Sequence, residues 1–456
     1  MTAPEGPDLV VVGAGGGLFA ALRAAERGLS VLVIEASAHY RRGNNTSMCT
    51  AMVPGIGTRW QRAAGIEDTP ELFVDDVRRK TGGAGDERLA AALAEVSAEL
   101  VEWMADTLGF EMSLMTDMNY PGHSVERCHT IPERHGAALV DRLTRLVDAS
   151  PLIDVLVPAR VTDVLLDDDG AVRAVVAGEE EIPTRAVLLA TNGYGADRDL
   201  VREHLPEIAA AIYHGSETSR GDALRIGTRL GAETAYLDAY QGHAALSAKA
   251  STLLGWATIV HGGIMLDTTG RRFGRETSGY SEFGPALAAR PGATGWIVYD
   301  QGVHDECLPF TDFRNCVEAG AELWASSPEE LAEVTGLPVE EVRSELADIE
   351  GLDGRPDRFG RTFARALRAP YAAVRVLPAL FHTQGGLVVD GDARVLRPSG
   401  DPIPGLYASG GAAAGISGHG ASGYLAGNGL LPAFGLAYLA ANAVAATVLA
   451  SDGGES

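Results

Sequence analysis

Along the chain the apolar positions fall first into a strand, a turn and a helix. Leu9-Val10-Val11-Val12 is an unbroken β-branched and leucine run, Gly13-Ala14-Gly15-Gly16-Gly17 is a turn, and Leu18 to Arg27 has helical spacing. Gly28 ends that helix, and a second strand, Ser30 to Ile34, closes on Glu35. The spacing predicts amphipathic helices over 68–80, 87–109 and 135–147. From Ile153 to Ala190 it shortens to β runs, with a turn at Asp167-Asp168-Asp169-Gly170 and a last apolar strand, Ala186 to Ala190. Thr191-Asn192-Gly193-Tyr194-Gly195 breaks that strand. A region from 240 to 381 mixes helices and strands, and its Glu-rich stretch Pro328 to Ile349 reads as one helix with a solvated face. From His382 onward the chain returns to strand (Leu387 to Val389), glycine-rich loop and helix. No internal repeat, low-complexity run or Pro/Ser linker interrupts it. The order predicts one domain split by an insertion, with boundaries at 1–239, 240–381 and 382–456.

The first βαβ unit carries a chemical signal. Glycines between a strand and a helix let backbone amides approach a pyrophosphate at the positive end of the helix dipole. An acid at the end of the second strand, here Glu35, accepts hydrogen bonds from a ribose. A dinucleotide site is therefore expected. Leu18 stands where the third glycine of G-x-G-x-x-G would be, so Gly17 is expected to serve as the close-packing glycine in a turn one residue shorter.

Composition narrows the classes. A chain of 456 residues, 46% hydrophobic and 21% charged, makes two or three packed domains and is not disordered. Its net charge of -24 opposes binding to nucleic acid or to an anionic membrane surface. Cys49, Cys128, Cys307 and Cys316 have no C-x-x-C spacing. That points away from zinc, iron–sulfur and disulfide frameworks, so no metal is expected, and it fits a cytoplasmic setting. Met1 to Asp8 lacks a basic leader, so no signal peptide is expected. Pro402 to Ser451 holds no Asp, Glu, Lys or Arg, and its second half is long enough to span a bilayer. Pro432, Asn442 and many alanines favour instead a helix buried by its own protein.

Six blocks in order then carry a resemblance: the glycine turn, Arg42-Gly43-Asn44-Asn45-Thr46-Ser47, Leu189-Ala190-Thr191-Asn192-Gly193, Arg220-Gly221-Asp222, His382-Thr383-Gln384-Gly385-Gly386 and Gly405-Leu406-Tyr407-Ala408-Ser409-Gly410, with Pro370-Tyr371-Ala372 between the fourth and fifth. Together they resemble the fumarate reductase/succinate dehydrogenase flavoprotein superfamily, which includes ketosteroid dehydrogenases and tricarballylate dehydrogenase. The resemblance implies an α/β fold: a Rossmann-like FAD-binding domain (GR2-type) with an inserted α+β capping domain. It implies FAD, with contacts from Gly13, Gly15, Gly17, Glu35, Ala36, Gly43, Asn44, Asn45, Thr46, Val161, Thr191, Asn192, Gly193, Asp222, Gly410, Asn428, Leu430 and Leu431. Asn45 occupies the place of the histidine that bonds covalently to flavin in succinate dehydrogenases, so non-covalent FAD is expected. Gly411 departs from the Glu or Asn the family often has there.

Superfamily members move a hydride between flavin N5 and carbon, and a proton at the adjacent carbon. Fumarate reductases use two arginines. The place of the proton-transferring one is Tyr280, and the place of the carboxylate clamp is Gly423 or Tyr424. Ketosteroid dehydrogenases have tyrosines at such positions, matched in turn by Tyr280, Tyr424 and Tyr120. The resemblance implies α,β-dehydrogenation of a small-molecule ketone, flat or cyclic. Tyr280 would be base, Tyr424 would hold the ketone oxygen, Tyr120 would be a relay, and an unidentified partner would accept the electrons. A phenol with a pKa near ~10 needs such a relay or a lowered pKa to act as base at neutral pH. His382 and His243 match substrate-facing histidines, while Arg271, Arg272 and Arg275 read as salt-bridge formers. The alternative is a fumarate reductase- or tricarballylate dehydrogenase-like enzyme acting on a carboxylate or enoate.

Overall fold

The computed structural model describes residues 6–117 and 120–452; the first five residues of the Met1 to Asp8 stretch, for which no signal peptide is expected, lie outside them. The chain divides into two units, one of Met1–His204, Gly215–Tyr240 and His382–Ser456, the other of Leu205–His214 and Gln241–Phe381.

In the first unit a six-stranded sheet runs in the order Arg394–Leu396, Pro402–Ala408, Ala186–Leu189, Leu9–Val12, Val31–Ile34, Ile153–Leu156. The last five are parallel to one another, and Arg394–Leu396 lies antiparallel at the edge. All four residues of Leu9–Val12 and of Ala186–Leu189 are buried, as expected of strands covered on both faces. The helix Gly16–Glu26 follows the first strand, and the closing helix Leu430–Asp452 packs on it, with Phe19 and Phe434 stacked at 4.5 Å. The closing helix is long and apolar enough to cross a membrane. Yet 67% of its apolar window is buried against its own protein, and Leu431, Phe434, Leu436 and Ala441 are fully enclosed.

The second unit is built on another six-stranded sheet. The long strand Tyr371–Thr383 pairs with Ile212–Tyr213, Gly295–Asp300, Leu323–Ala325 and Tyr240–Ser247, and Ile264–Asp267 pairs with Gly295–Asp300. Its interior holds a charged cluster. Arg272 makes two 2.7 Å bonds to Glu276 and a 2.7 Å ion pair with Asp357, and Arg361 donates to Glu276 at 3.0 Å. Removing one member would strand a buried charge.

Local chemistry moves several element limits. The first helix starts at Gly16, two residues before Leu18, and the helix predicted over 87–109 stops at Asp106. The stretch Pro328 to Ile349 is two helices, Pro328–Thr335 and Val339–Glu350. Gly336 takes a left-handed conformation (φ 72°), and Pro338 has no N–H to extend the first helix. Their face is not wholly solvated either: Leu331, Val342, Leu346 and Ile349 are buried.

Candidate active site

The glycine turn sets the first boundary of the site. Gly13 has φ +105°, and a Cβ there would lie 2.5 Å from the carbonyl oxygen of Ala190. A Cβ on Gly17 would lie 2.6 Å from Val11 Cγ1, so this glycine lets the helix close onto the strand. Glu35 is buried, and its two carboxylate oxygens accept from Ala14 N and Ser37 N, each at 2.7 Å. The carboxylate is thereby fixed beside the turn with lone pairs remaining.

Around this turn the predicted nucleotide residues have defined work. Asn44 caps a short helix, accepting from Ser47 N at 2.7 Å and donating to Tyr40 O at 2.7 Å. Asn45 Oδ1 accepts from Ser216 N at 2.7 Å. Thr46 Oγ1 lies 2.9 Å from the point a Cβ on Gly15 would take. Asn192, at φ +63°, donates to Ser219 Oγ at 2.9 Å. Val161 is buried in a separate small sheet, and Asp222 is ion-paired with Arg160 at 2.7 Å.

The fit to a nucleotide cofactor rests on three buried oxygens without a protein partner: Thr191 Oγ1, Ser409 Oγ and Asn428 Oδ1. Thr191 and Ser409 follow the carboxyl ends of the central strands Ala186–Leu189 and Pro402–Ala408, where ligands of such sheets bind. Asn428 precedes the closing helix, whose first amides attract negative charge. Polar groups of a ligand beside these atoms would satisfy them.

At the same helix start, two side chains converge. A Cβ placed on Gly429 would be 3.2 Å from His382 Nε2 and 3.7 Å from Tyr424 Oη. The two rings meet edge-on at 5.8 Å. Burial pushes the His382 imidazole down to about 4, outweighing a backbone bond that favours its charge, so the ring is neutral at pH 7. Its Nδ1 lies 3.0 Å from Gln384 Nε2, Gln384 Oε1 accepts from Ser417 Oγ at 2.9 Å, and Ser417 Oγ accepts from Asn428 Nδ2 at 2.6 Å. Sequence reasoning missed Gln384 and Ser417. Spacing offered a hint, since residues 382 and 384 stand two apart on an extended chain.

Tyr120 belongs to a segment packed on this loop: Ala426 N donates to Pro121 O, and His123 Nε2 meets Ala426 O at 2.8 Å. Burial and the charge of Asp117 raise the Tyr120 phenol above its ordinary value, against any role as a phenolate.

In the second unit Tyr280 opens the helix Tyr280–Ala288. Its ring lies parallel to His243 at 4.9 Å, Phe381 covers the imidazole at 5.4 Å, and Trp256 meets it edge-on at 5.7 Å. Ser281 Oγ accepts from Gly242 N at 3.0 Å and ties the helix to this cluster. His243 Nδ1 accepts from Ala245 N at 3.0 Å, and burial pushes its imidazole down to about 3. Trp256 and Phe381 were not anticipated from sequence. Arg271 is held by Glu341 in two 2.7 Å bonds, Arg272 lies in the buried cluster, and Arg275 donates to Thr277 at 3.3 Å. Among the described residues no group of three metal-ligating side chains occurs.

Residues 8–430 match the FAD binding domain family, and the chain belongs to it. The chain is 31% identical over 435 residues to the NADH:fumarate oxidoreductase of Klebsiella pneumoniae, which covers 91% of this chain but only 45% of that protein. Its fold superposes on the open conformation of a flavocytochrome c3 fumarate reductase with a TM-score of 0.81 and 26% identity, over 98% of this chain and 79% of the other. A 3-ketosteroid-Δ4-(5α)-dehydrogenase from Rhodococcus jostii RHA1 shares the fold at TM-score 0.75 and 24% identity, over 98% of each chain. FAD is the cofactor these relationships give.

Proposed function

We propose that this protein is an FAD-dependent oxidoreductase that removes hydrogen from the α and β carbons of a ketone. The observation that carries this reading is the convergence of a neutral imidazole and a phenol, His382 Nε2 and Tyr424 Oη, on one point beside Gly429. Two neutral groups suit a carbonyl oxygen that gains charge only as the α-proton leaves. A standing carboxylate is better served by a guanidinium. Tyr424 donates its hydroxyl hydrogen to that oxygen, and His382 stands beside the same oxygen. Tyr280 takes the α-proton. FAD, when bound, would supply the two-electron oxidation that takes the hydride equivalent from the β carbon. Gly13, Gly15, Gly17 and Glu35 would hold its pyrophosphate and ribose, and Asn428 with the start of the closing helix would face its ring.

The test is an anaerobic screen for flavin bleaching with cyclic ketones beside di- and tricarboxylates, followed by turnover with a dye acceptor. Bleaching by a ketone is the expected result. A clear preference for carboxylates overturns the reading in favour of fumarate-type chemistry, the activity for which the Klebsiella relative is named.

A further inference from the structure

A histidine beside a carbonyl oxygen helps only if the nitrogen facing it carries hydrogen. In a neutral imidazole one nitrogen donates and the other accepts, so the partner of Nδ1 decides what Nε2 presents. At His382 that partner is Gln384. We propose that Gln384 is a positioning residue: its amide N–H, oriented by Ser417 and Asn428, donates to Nδ1 and holds His382 as the Nε2–H tautomer, a hydrogen-bond donor beside Tyr424. The proposal rests on the ketone reading for what the donor serves, but not for its own geometry.

The chain of donors is consistent from end to end. Asn428 Nδ2 donates to Ser417 Oγ at 2.6 Å, Ser417 donates to Gln384 Oε1 at 2.9 Å, and Gln384 Nε2 donates to His382 Nδ1 at 3.0 Å. Asn428 Nδ2 also lies 3.5 Å from Gln384 Oε1. Asn428, Ser417 and Gln384 are all at least 95% buried, so water does not compete for these bonds. The carbonyl of Thr383 lies farther from Nδ1, at 3.4 Å, and becomes its partner only if Nδ1 carries the hydrogen. With both amides turned over, the same groups would run the other way and leave Nε2 a bare acceptor. Such an acceptor would repel a ketone oxygen. The direction of the chain, and not merely its presence, is therefore the substance of the proposal.

Nitrogen NMR of the FAD-loaded protein, labelled with [15N]histidine, reads the proton directly. His382→Gln assigns the signal by its disappearance. At pH 7 the native spectrum is expected to show hydrogen on Nε2 and none on Nδ1. Gln384→Met removes the donor, and the fixed pattern should be lost as Nδ1 turns to Thr383 O. Gln384→Glu puts an acceptor against Nδ1 and should move the hydrogen there. Should either variant lose its visible flavin spectrum, Ser417→Ala, which unlocks the amide without touching the imidazole, asks the same question. Hydrogen on Nδ1 in the native protein, or an unchanged pattern in every variant that keeps FAD, overturns the proposal. If the tautomer is as stated but no ketone bleaches the flavin, the ketone reading fails and the assignment of Gln384 stands.

Discussion

His382 is half-buried and His243 buried, and both are neutral at pH 7, yet they are held by different means. His382 is governed by side chains: an amide on Nδ1, a hydroxyl and a second amide behind it, and a phenol at its edge. His243 is governed by backbone and shape, with the Ala245 N–H on Nδ1 and the rings of Tyr280 and Phe381 stacked against it at 4.9 and 5.4 Å. A side-chain relay can be altered one group at a time, and changes the electrical character of the ring it holds. A backbone bond inside a stack of rings cannot be edited that way. The first arrangement suits stabilisation of charge, and the second suits a fixed wall with one phenol, Tyr280, at its end.

Substitutions that delete a hydroxyl and keep the ring separate these two roles. The largest effect is expected from Tyr280→Phe. The phenyl still stacks on His243, so stability should stay within about 1 kcal/mol of native. The rate of flavin bleaching should nevertheless fall by about 10²–10⁴, the contribution of a positioned base. If the variant bleaches as fast as native, the ring cluster is only a wall. Tyr424→Phe comes next, with kcat/KM for a ketone lower by about 10²–10³, the cost of one oxyanion donor. Combined with His382→Ala it should cost less than the two losses multiplied together, because both groups serve one oxygen. Independent losses would mean that the two groups attend to different atoms.

Which of these residues were legible in the sequence follows the same division. The βαβ turn announced itself because its glycines and Glu35 are fixed by local geometry, whereas the three tyrosines were singled out by the family resemblance alone. The relay behind His382 was silent. Gln384, Ser417 and Asn428 are separated by 33 and 11 positions and meet only when the strand ending at Thr383 and the loop before Leu430 are folded. Trp256 and Phe381 stayed hidden for the same reason, since ring stacking has no spacing along the chain. The break at Gly336 and Pro338 was written plainly, but the Glu-rich pattern on both sides masked it.

Acid brings out what the two histidines share, and it is the mildest of these probes. An unfolded histidine titrates near ~6.5, whereas burial pushes His382 down to about 4 and His243 to about 3 in the folded protein. Between those limits the unfolded chain binds the proton and the folded one does not. Stability is therefore full above pH ~6.5 and declines as the pH falls, by about 1.4 kcal/mol per unit for each histidine, until the folded ring itself titrates. From pH 7 to 5 each should account for about 2 kcal/mol of the loss. His123 and His129, also pushed down to about 4 by burial, add a background common to every variant. Denaturant unfolding at several pH values measures this directly. His382→Gln and His243→Phe should each start less stable at neutral pH and then fall less steeply than native. A curve parallel to native for either one would mean that its imidazole takes up its proton alike in the folded and unfolded chain, and the contrast between a donor held by an amide and a ring held by its neighbours would lose that member.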